Sequence, residues 1–230
     1  MNLFQLSKFW WSIILIIIVI RAVIVHYIPK LFLCVLWIIM ALCLLITLFF
    51  KFPLVEFYRL KNTIWLIGLS IGLFSFLFSY VRYRKKLKQS IPNKSLIIQE
   101  WITLHKLIRN YEVRMSAITF PSSFGILHPV ILLPQNFNLK SVTDIQNELA
   151  GQYMRIRCFD PIIKLLFALV LCIYWFNPLM WIMYILANRD MDSFYETYII
   201  SNVNNTEKFS YAIFLIRKYG DKNSNDGSSN

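Results

Sequence analysis

Charge is scarce in this chain, and acid is scarcer than base. Only 16% of the 230 residues are charged, with 12 Asp and Glu against 24 Lys and Arg, while 57% are hydrophobic and 17% aromatic. An ordinary soluble domain carries about a quarter charged residues and an apolar share near half, so that class is excluded and the chain belongs in a membrane. Histidine is limited to His26, His105 and His128, which fall at an apolar-run boundary, in a helix and in a turn, so no pair has the one-turn spacing that zinc ligands need. Four cysteines, Cys34, Cys43, Cys158 and Cys172, stand at irregular intervals. Neither a disulfide framework nor a metal knuckle follows from them, and Cys34 and Cys172 read as small apolar packing residues. There is no Gly-x-Ser-x-Gly or Ser-Lys arrangement, and Cys158 lacks a sequence-local base, which excludes the familiar nucleophilic hydrolases. Despite a net charge of +12, nothing has the form of a recognition helix or an aromatic-basic platform, so nucleic acid is not an expected partner.

What the chain does contain is long apolar runs. Phe9 to Ile28, Leu31 to Phe50 and Thr63 to Val81 each approach the roughly 20 residues that a helix needs to cross hydrocarbon. Arg21 interrupts the first, and reads as snorkelling or facing a neighbouring helix rather than lining an ion path. No small-residue cleavage site follows the first run and a second begins at once, so it reads as a retained span. Arg82, Arg84, Lys85, Lys86 and Lys88 crowd behind the third run. The positive-inside bias puts that end in the cytoplasm and the amino terminus outside. The excess of base is then mainly a statement about topology and about membrane lipids as partners.

The expected organisation is a three-helix transmembrane region over 1–88, a second domain over 89–219 and a disordered polar tail over 220–230, which has no apolar residue to bury. Gln89 to Lys94 reads as a linker. A helix is expected over Leu96 to Asn110, followed by a short β-hairpin of Val113 to Phe120 and Val130 to Leu133 turning near Gly125. Ser141 or Thr143 caps the next helix, which runs through Ile156 with Asp144 at its positive end. Asp160-Pro161 and Asn177-Pro178 each pair a capping residue with a first-turn proline, so they start two further helices, Ile162 to Trp175 and Pro178 to about Ser201. Ile162 to Ala187 is apolar enough to cross a membrane. It reads as a hairpin dipping in from the cytoplasmic side, with a full crossing as the other reading.

Several segments carry a resemblance in their order: Phe120-Pro121-Ser122-Ser123-Phe124-Gly125, then Val130-Ile131-Leu132-Leu133-Pro134, Asp160-Pro161, Trp175-Phe176-Asn177-Pro178, Asn188-Arg189-Asp190-Met191-Asp192 and Phe209-Ser210-Tyr211-Ala212. Over about Ile102 to Arg217 the chain resembles the BlaR/MecR-type antirepressor membrane metallopeptidases. The resemblance implies a mainly α membrane protein in which the spans precede a gluzincin-like α+β peptidase domain with a hydrophobic helical hairpin. It also implies a bacterial, multi-pass location with the peptidase-like domain in the cytoplasm.

The family's chemistry is missing from that frame. Counting back from Asp160 along the family pattern His-Glu-x-x-His-x-x-x-x-Asp, the first ligand falls on Gly151, the catalytic acid on Gln152 and the second ligand on Arg155. Gly151 has no donor atom, Gln152 is a neutral amide and Arg155 is permanently cationic. The third-ligand segment is altered as well, with Asp192 one methylene short of the family's Glu, Tyr195 in place of Cys and Glu196 in place of the following Asp. The expectation is a degenerate domain with no catalytic residue, no metal and no cofactor. A set of Asp190, Asp192 and Glu196 would suit calcium or magnesium rather than zinc. Two readings of Arg155 stay open, an ion pair with Asp192 or Glu196 in the metal's place or a side chain facing water or headgroups.

Binding can outlast cutting. In the family the strand before the metal helix lines the substrate groove, and the corresponding Val130, Ile131, Leu132 and Leu133 either hold a peptide by main-chain hydrogen bonds or simply pack. The implied role is a non-catalytic regulator or scaffold whose protein partner is a repressor, an intact family peptidase or a transporter. An active peptidase with a non-standard site and a membrane accessory or immunity subunit are the rival readings.

Overall fold

The computed structural model of the protein describes residues 3–24, 29–51, 60–93, 95–107, 109–125, 128–135, 141–202 and 205–226. His26, the end of the first apolar run, Ile108 and residues 227–230 lie outside them. Helix dominates: α1 (Leu3–Ile24), α2 (Lys30–Lys51), α3 (Leu60–Lys88), α4 (Leu96–Leu104), α5 (Val142–Arg157), α6 (Asp160–Ile173), α7 (Pro178–Asn202) and α8 (Asn205–Asp226). Four short strands, β1 (Ile91–Pro92), β2 (Glu112–Ser116), β3 (Ser122–Phe124) and β4 (Val130–Pro134), make one sheet. The chain divides into two compact units, Met1–Lys85 with Ile162–Phe194, and Lys86–Pro161 with Tyr195–Asn230. The apolar hairpin that the sequence assigned to the second domain thus groups with the N-terminal helices.

In the first unit the three apolar runs are helices, as their composition demands: a backbone surrounded by apolar side chains must satisfy its own polar groups. Thr63–Lys88 is long and apolar enough to cross a membrane, while Ser12–Val23 and Lys30–Ile46 are shorter apolar stretches. Residues Trp37, Leu44, Phe167, Val170, Tyr174 and Met183 are buried together with Ile14. Small residues set how closely α3 and α6 approach. A Cβ on Gly68 would run into the Trp175 ring in the corner after α6, and one on Gly72 would lie 3.1 Å from Cys172 Sγ of α6, which is the use small-xxx-small spacing has between apolar helices. Trp65 Nε1 donates to the Ile173 carbonyl at 2.8 Å. The α6–α7 corner follows its sequence signal, since Asn177 Oδ1 accepts from Leu179 N at 3.0 Å and Pro178 opens α7.

One charged cluster sits inside this apolar unit. Arg21 of α1 donates Nε to Asp190 Oδ2 at 2.7 Å and Nη2 to Oδ1 at 2.5 Å, and Trp37 Nε1 of α2 donates to Oδ2 at 2.8 Å. The side chains are 16% and 3% exposed. Arg21 therefore faces a neighbouring helix, and its fork matches both carboxylate oxygens.

The second unit is built on the sheet, with strand order β1-β2-β4-β3. The sheet differs from the expected hairpin. β2 and β4 run parallel, with Val113 opposite Ile131 and Met115 opposite Leu133, and the antiparallel partner of β4 is β3, with Ser123 opposite Ile131. Gly125 turns the chain at φ 93°, where an added Cβ would meet the His128 carbonyl oxygen at 2.4 Å, so only glycine fits. The expected linker contributes β1, antiparallel to β2. α4 stops at Leu104 rather than Asn110, closed by His105 N and ring Nδ1 on the Trp101 carbonyl and by the His105 ring stacked on Trp101. Ile98, Tyr111, Val113, Ile131, Leu133, Ile145, Leu149 and Ile156 form the core. Helix α8 continues through Asp226, into the stretch expected to be disordered. Once a helix is nucleated, each further residue costs little to add even when polar.

Breaking a buried ion pair from one side leaves an uncompensated charge and costs about 3–5 kcal/mol, whereas replacing both partners by apolar groups is far milder. Arg21→Met and Asp190→Asn are each expected to lower the melting temperature of the purified chain sharply, and Arg21→Met with Asp190→Leu to recover most of the loss. Singles no worse than the double would show that the cluster is not what holds α1 to α7.

Candidate functional site

Helix α5 carries the frame. Ser141 Oγ accepts from Asp144 N at 3.2 Å as its N-cap, Asp144 lies in the first turn, and Arg155 and Arg157 lie in the last, so each charge suits the helix dipole. Gly151, Gln152 and Arg155 occupy positions i, i+1 and i+4, so a spacing that would set two ligands on one face is retained.

Their environments differ. A Cβ on Gly151 would find nothing within 4 Å, so the first ligand position opens onto space. Gln152, only 2% exposed, points inward. Its Nε2 donates to Glu148 Oε1 at 3.1 Å and weakly to the Pro121 carbonyl at 3.5 Å, while its Oε1 is buried without a hydrogen-bond partner. A carboxylate at this position would face Glu148 charge to charge. The amide removes that repulsion and turns it into a bond. Arg155 is half-buried.

The far end of α5 is pinned twice. Arg109 Nη2 donates to the Ile156 carbonyl at 2.5 Å, and the guanidinium sits 3.8 Å from the centroid of the Phe159 ring. Phe159 stands at φ 56° just past the end of α5, its N donating to the Ile156 carbonyl at 3.2 Å, a left-handed conformation disfavoured for a bulky residue. Beyond it, Tyr195 of α7 donates its hydroxyl to Asp160 Oδ1 at 3.0 Å, with both residues buried. In the sequence Tyr195 stands out only as the residue in place of the family's Cys. The available signal was a phenol, which needs a partner when buried. Burial, opposed by Arg157 and reinforced by Asp160, pushes the Cys158 thiol above its ordinary pKa. A nucleophilic thiolate is thereby disfavoured.

Of the expected α7 carboxylates, Asp192 lies 3.7 Å from Lys164 Nζ and belongs to the first unit, and Glu196 follows one turn later, partly exposed, in the second. Asp190 gives both oxygens to Arg21 and Trp37, so a calcium or magnesium site using Asp190 with Asp192 and Glu196 would have to break that cluster. Among the described residues no group of three or more His, Cys, Asp or Glu side chains is placed to hold a metal ion. The donor chemistry on α5 agrees: no donor atom at Gly151, a neutral amide engaged by Glu148 at Gln152 and a cation at Arg155 do not fit zinc. His128 is exposed in its turn and His105 is stacked on Trp101.

Val130 to Leu133 take the packing role of the two open to them. β4 is interior to the sheet, flanked by β2 on one side and β3 on the other, and Val130, Ile131, Leu132 and Leu133 are all buried. Its main chain is already in use. The edge next to β4 belongs to β3, Ser122–Phe124, which is in contact with α5.

Comparison with known proteins gives two matches. Residues 56–228 fit the family model described as BlaR1 peptidase M56. Regulatory protein BlaR1 of Bacillus licheniformis is 28% identical over 137 residues, an alignment covering 56% of this chain and 22% of that protein's length. The chain thus spans about a fifth of the curated relative that it matches.

With open space around its missing side chain, Gly151→Ala should raise stability by about 0.5–1 kcal/mol, the usual gain for alanine over glycine inside a helix. A drop in melting temperature would mean that the space is filled. Tyr195→Phe should cost about 1 kcal/mol, more if the Asp160 carboxylate loses its best buried donor. No change in the thermal unfolding of that variant would sink the assigned bond.

Proposed function

The chain belongs to the BlaR1 peptidase M56 family, and from that premise we propose that it is a non-catalytic membrane regulator or scaffold that works by binding a protein or peptide. The observation that carries this reading is the state of α5. At the catalytic-acid position Gln152 is buried and bonded to Glu148, and an amide cannot take the proton that a water-activating base must accept. Arg155, fixed in charge, opposes a metal cation at the second ligand position. The bond from Tyr195 to Asp160 supports the same reading, because it ties α7 to the start of α6 without a metal.

In this reading α1 and α2 are spans together with α3, which makes the protein multi-pass, and the basic end of α3 at Arg82, Arg84, Lys85, Lys86 and Lys88 faces the cytoplasm with the peptidase-like domain. A bound segment adds to the outer edge of β3, beside α5. Main-chain pairing to an edge strand needs no catalytic group. The partner is a repressor, an intact family peptidase or a transporter.

The test is metal analysis of the purified full chain together with co-expression of a candidate repressor. The expected result is no stoichiometric zinc and an intact repressor. One zinc per chain with repressor cleavage would overturn the reading in favour of an active peptidase. Crosslinking from Ser123 in native membranes then reads the edge itself, and capture of a partner from there, lost on disruption of β3, is expected.

A further inference from the structure

Strand β2 carries a cation that its own sheet does not neutralise. Val113, Ile131 and Leu133 belong to the core, and the two-residue alternation of a strand turns Arg114 to the opposite face. The register sets it there between Pro92 of β1 and Leu132 of β4. Arg114 is partly buried, its Nε is enclosed, and no described residue accepts from it or pairs with it. Glu112 shares that face two residues away, but it is exposed and forms no ion pair with Arg114. A buried donor without an acceptor is costly. In native proteins such exceptions point to an ion or other group that completes the site.

We propose that Arg114 binds the phosphate of an anionic lipid headgroup. Its surroundings choose the ligand. Ser116 Oγ, next on the same face, donates to the Lys86 carbonyl at 3.3 Å, and Ser90 closes the end of α3 by donating Oγ to the Leu87 carbonyl at 2.6 Å. The chain then enters β1 directly, with Ile91 opposite Met115 and Pro92 opposite Arg114. Arg114 is thereby held beside the last turn of α3, in the same compact unit as Lys86 and Lys88, which are exposed and meet no described acid. That turn also ends Thr63–Lys88, the helix long and apolar enough to cross a membrane, so Arg114 lies at the depth where an apolar span gives way to headgroups. A guanidinium fork matches two phosphate oxygens, and the lysines add charge at the same level. The proposal rests on α3 as a span and not on the loss of catalysis.

The test titrates the full chain in detergent micelles with phosphatidylglycerol, phosphatidylcholine or inorganic phosphate, with native mass spectrometry counting bound lipid and thermal unfolding read in parallel. The wild type is expected to hold one phosphatidylglycerol about tenfold more tightly than phosphatidylcholine, the scale of a hydrogen-bonded charge pair, and to melt higher with it. Arg114→Gln should abolish that preference, whereas Lys85→Gln, an equal loss of charge on the exposed end of α3, should keep it. Without lipid, Arg114→Gln should melt no lower than the wild type, because it removes an unpaired buried charge. Equal losses in the two variants would reduce the binding to general charge attraction and overturn the proposal, as would an Arg114→Gln chain that still prefers phosphatidylglycerol or that melts lower without lipid. Displacement of the lipid by excess inorganic phosphate would overturn the lipid source. Carbonate extraction of native membranes checks the span by itself, with retention expected, and so separates a failure at Arg114 from a failure of α3 to insert.

Discussion

A carboxylate that is 3% exposed inside an apolar helical unit has to be neutralised in place, and Asp190 is. Arg21 supplies two parallel bonds and Trp37 a third, so α1, α2 and α7 meet at one point that cannot slip along a helix axis. Dispersion between Leu, Ile and Phe surfaces has no such register. The directional bonds of this cluster, together with the close approach at Gly68 and Gly72, make the packing of the first unit specific rather than merely apolar.

The second unit solves a different problem. Helix α5 carries Gly151, Gln152 and Arg155 on one helical spacing, and its stabilising contacts lie at Gln152 and at its C-terminal flank. Arg109 covers a terminal carbonyl and the Phe159 ring, Tyr195 meets Asp160, and Gln152 turns toward Glu148. Each contact joins groups that the chain supplies by itself, so this part of the fold is held by protein side chains alone.

Local signals were legible where one residue acts on its own neighbours. Ser141 and Asp144 marked the start of α5, Asp160-Pro161 and Asn177-Pro178 marked α6 and α7, and the long apolar runs marked helices α1 to α3. Strand partnership was not legible. Val113 and Ile131 pair in parallel across a gap of the chain into which β3 inserts, and nothing in the alternation of apolar residues distinguishes that from a hairpin. For the same reason nothing in Val130 to Leu133 distinguishes an edge that could hold a peptide from the enclosed inner strand that it forms.

What the sequence determined by itself was chemistry and local geometry: which side chains carry protons, metals or charge, where helices begin, and that Gly151, Gln152 and Arg155 share one helical spacing. Donor inventories and capping depend only on residue type and near neighbours, so they survive without coordinates. The tertiary structure decided partnership: that Arg21 belongs to Asp190, Tyr195 to Asp160 and β4 to the sheet interior. Those pairings join residues far apart in the chain, and their free energy comes from burial that exists only once the segments have met.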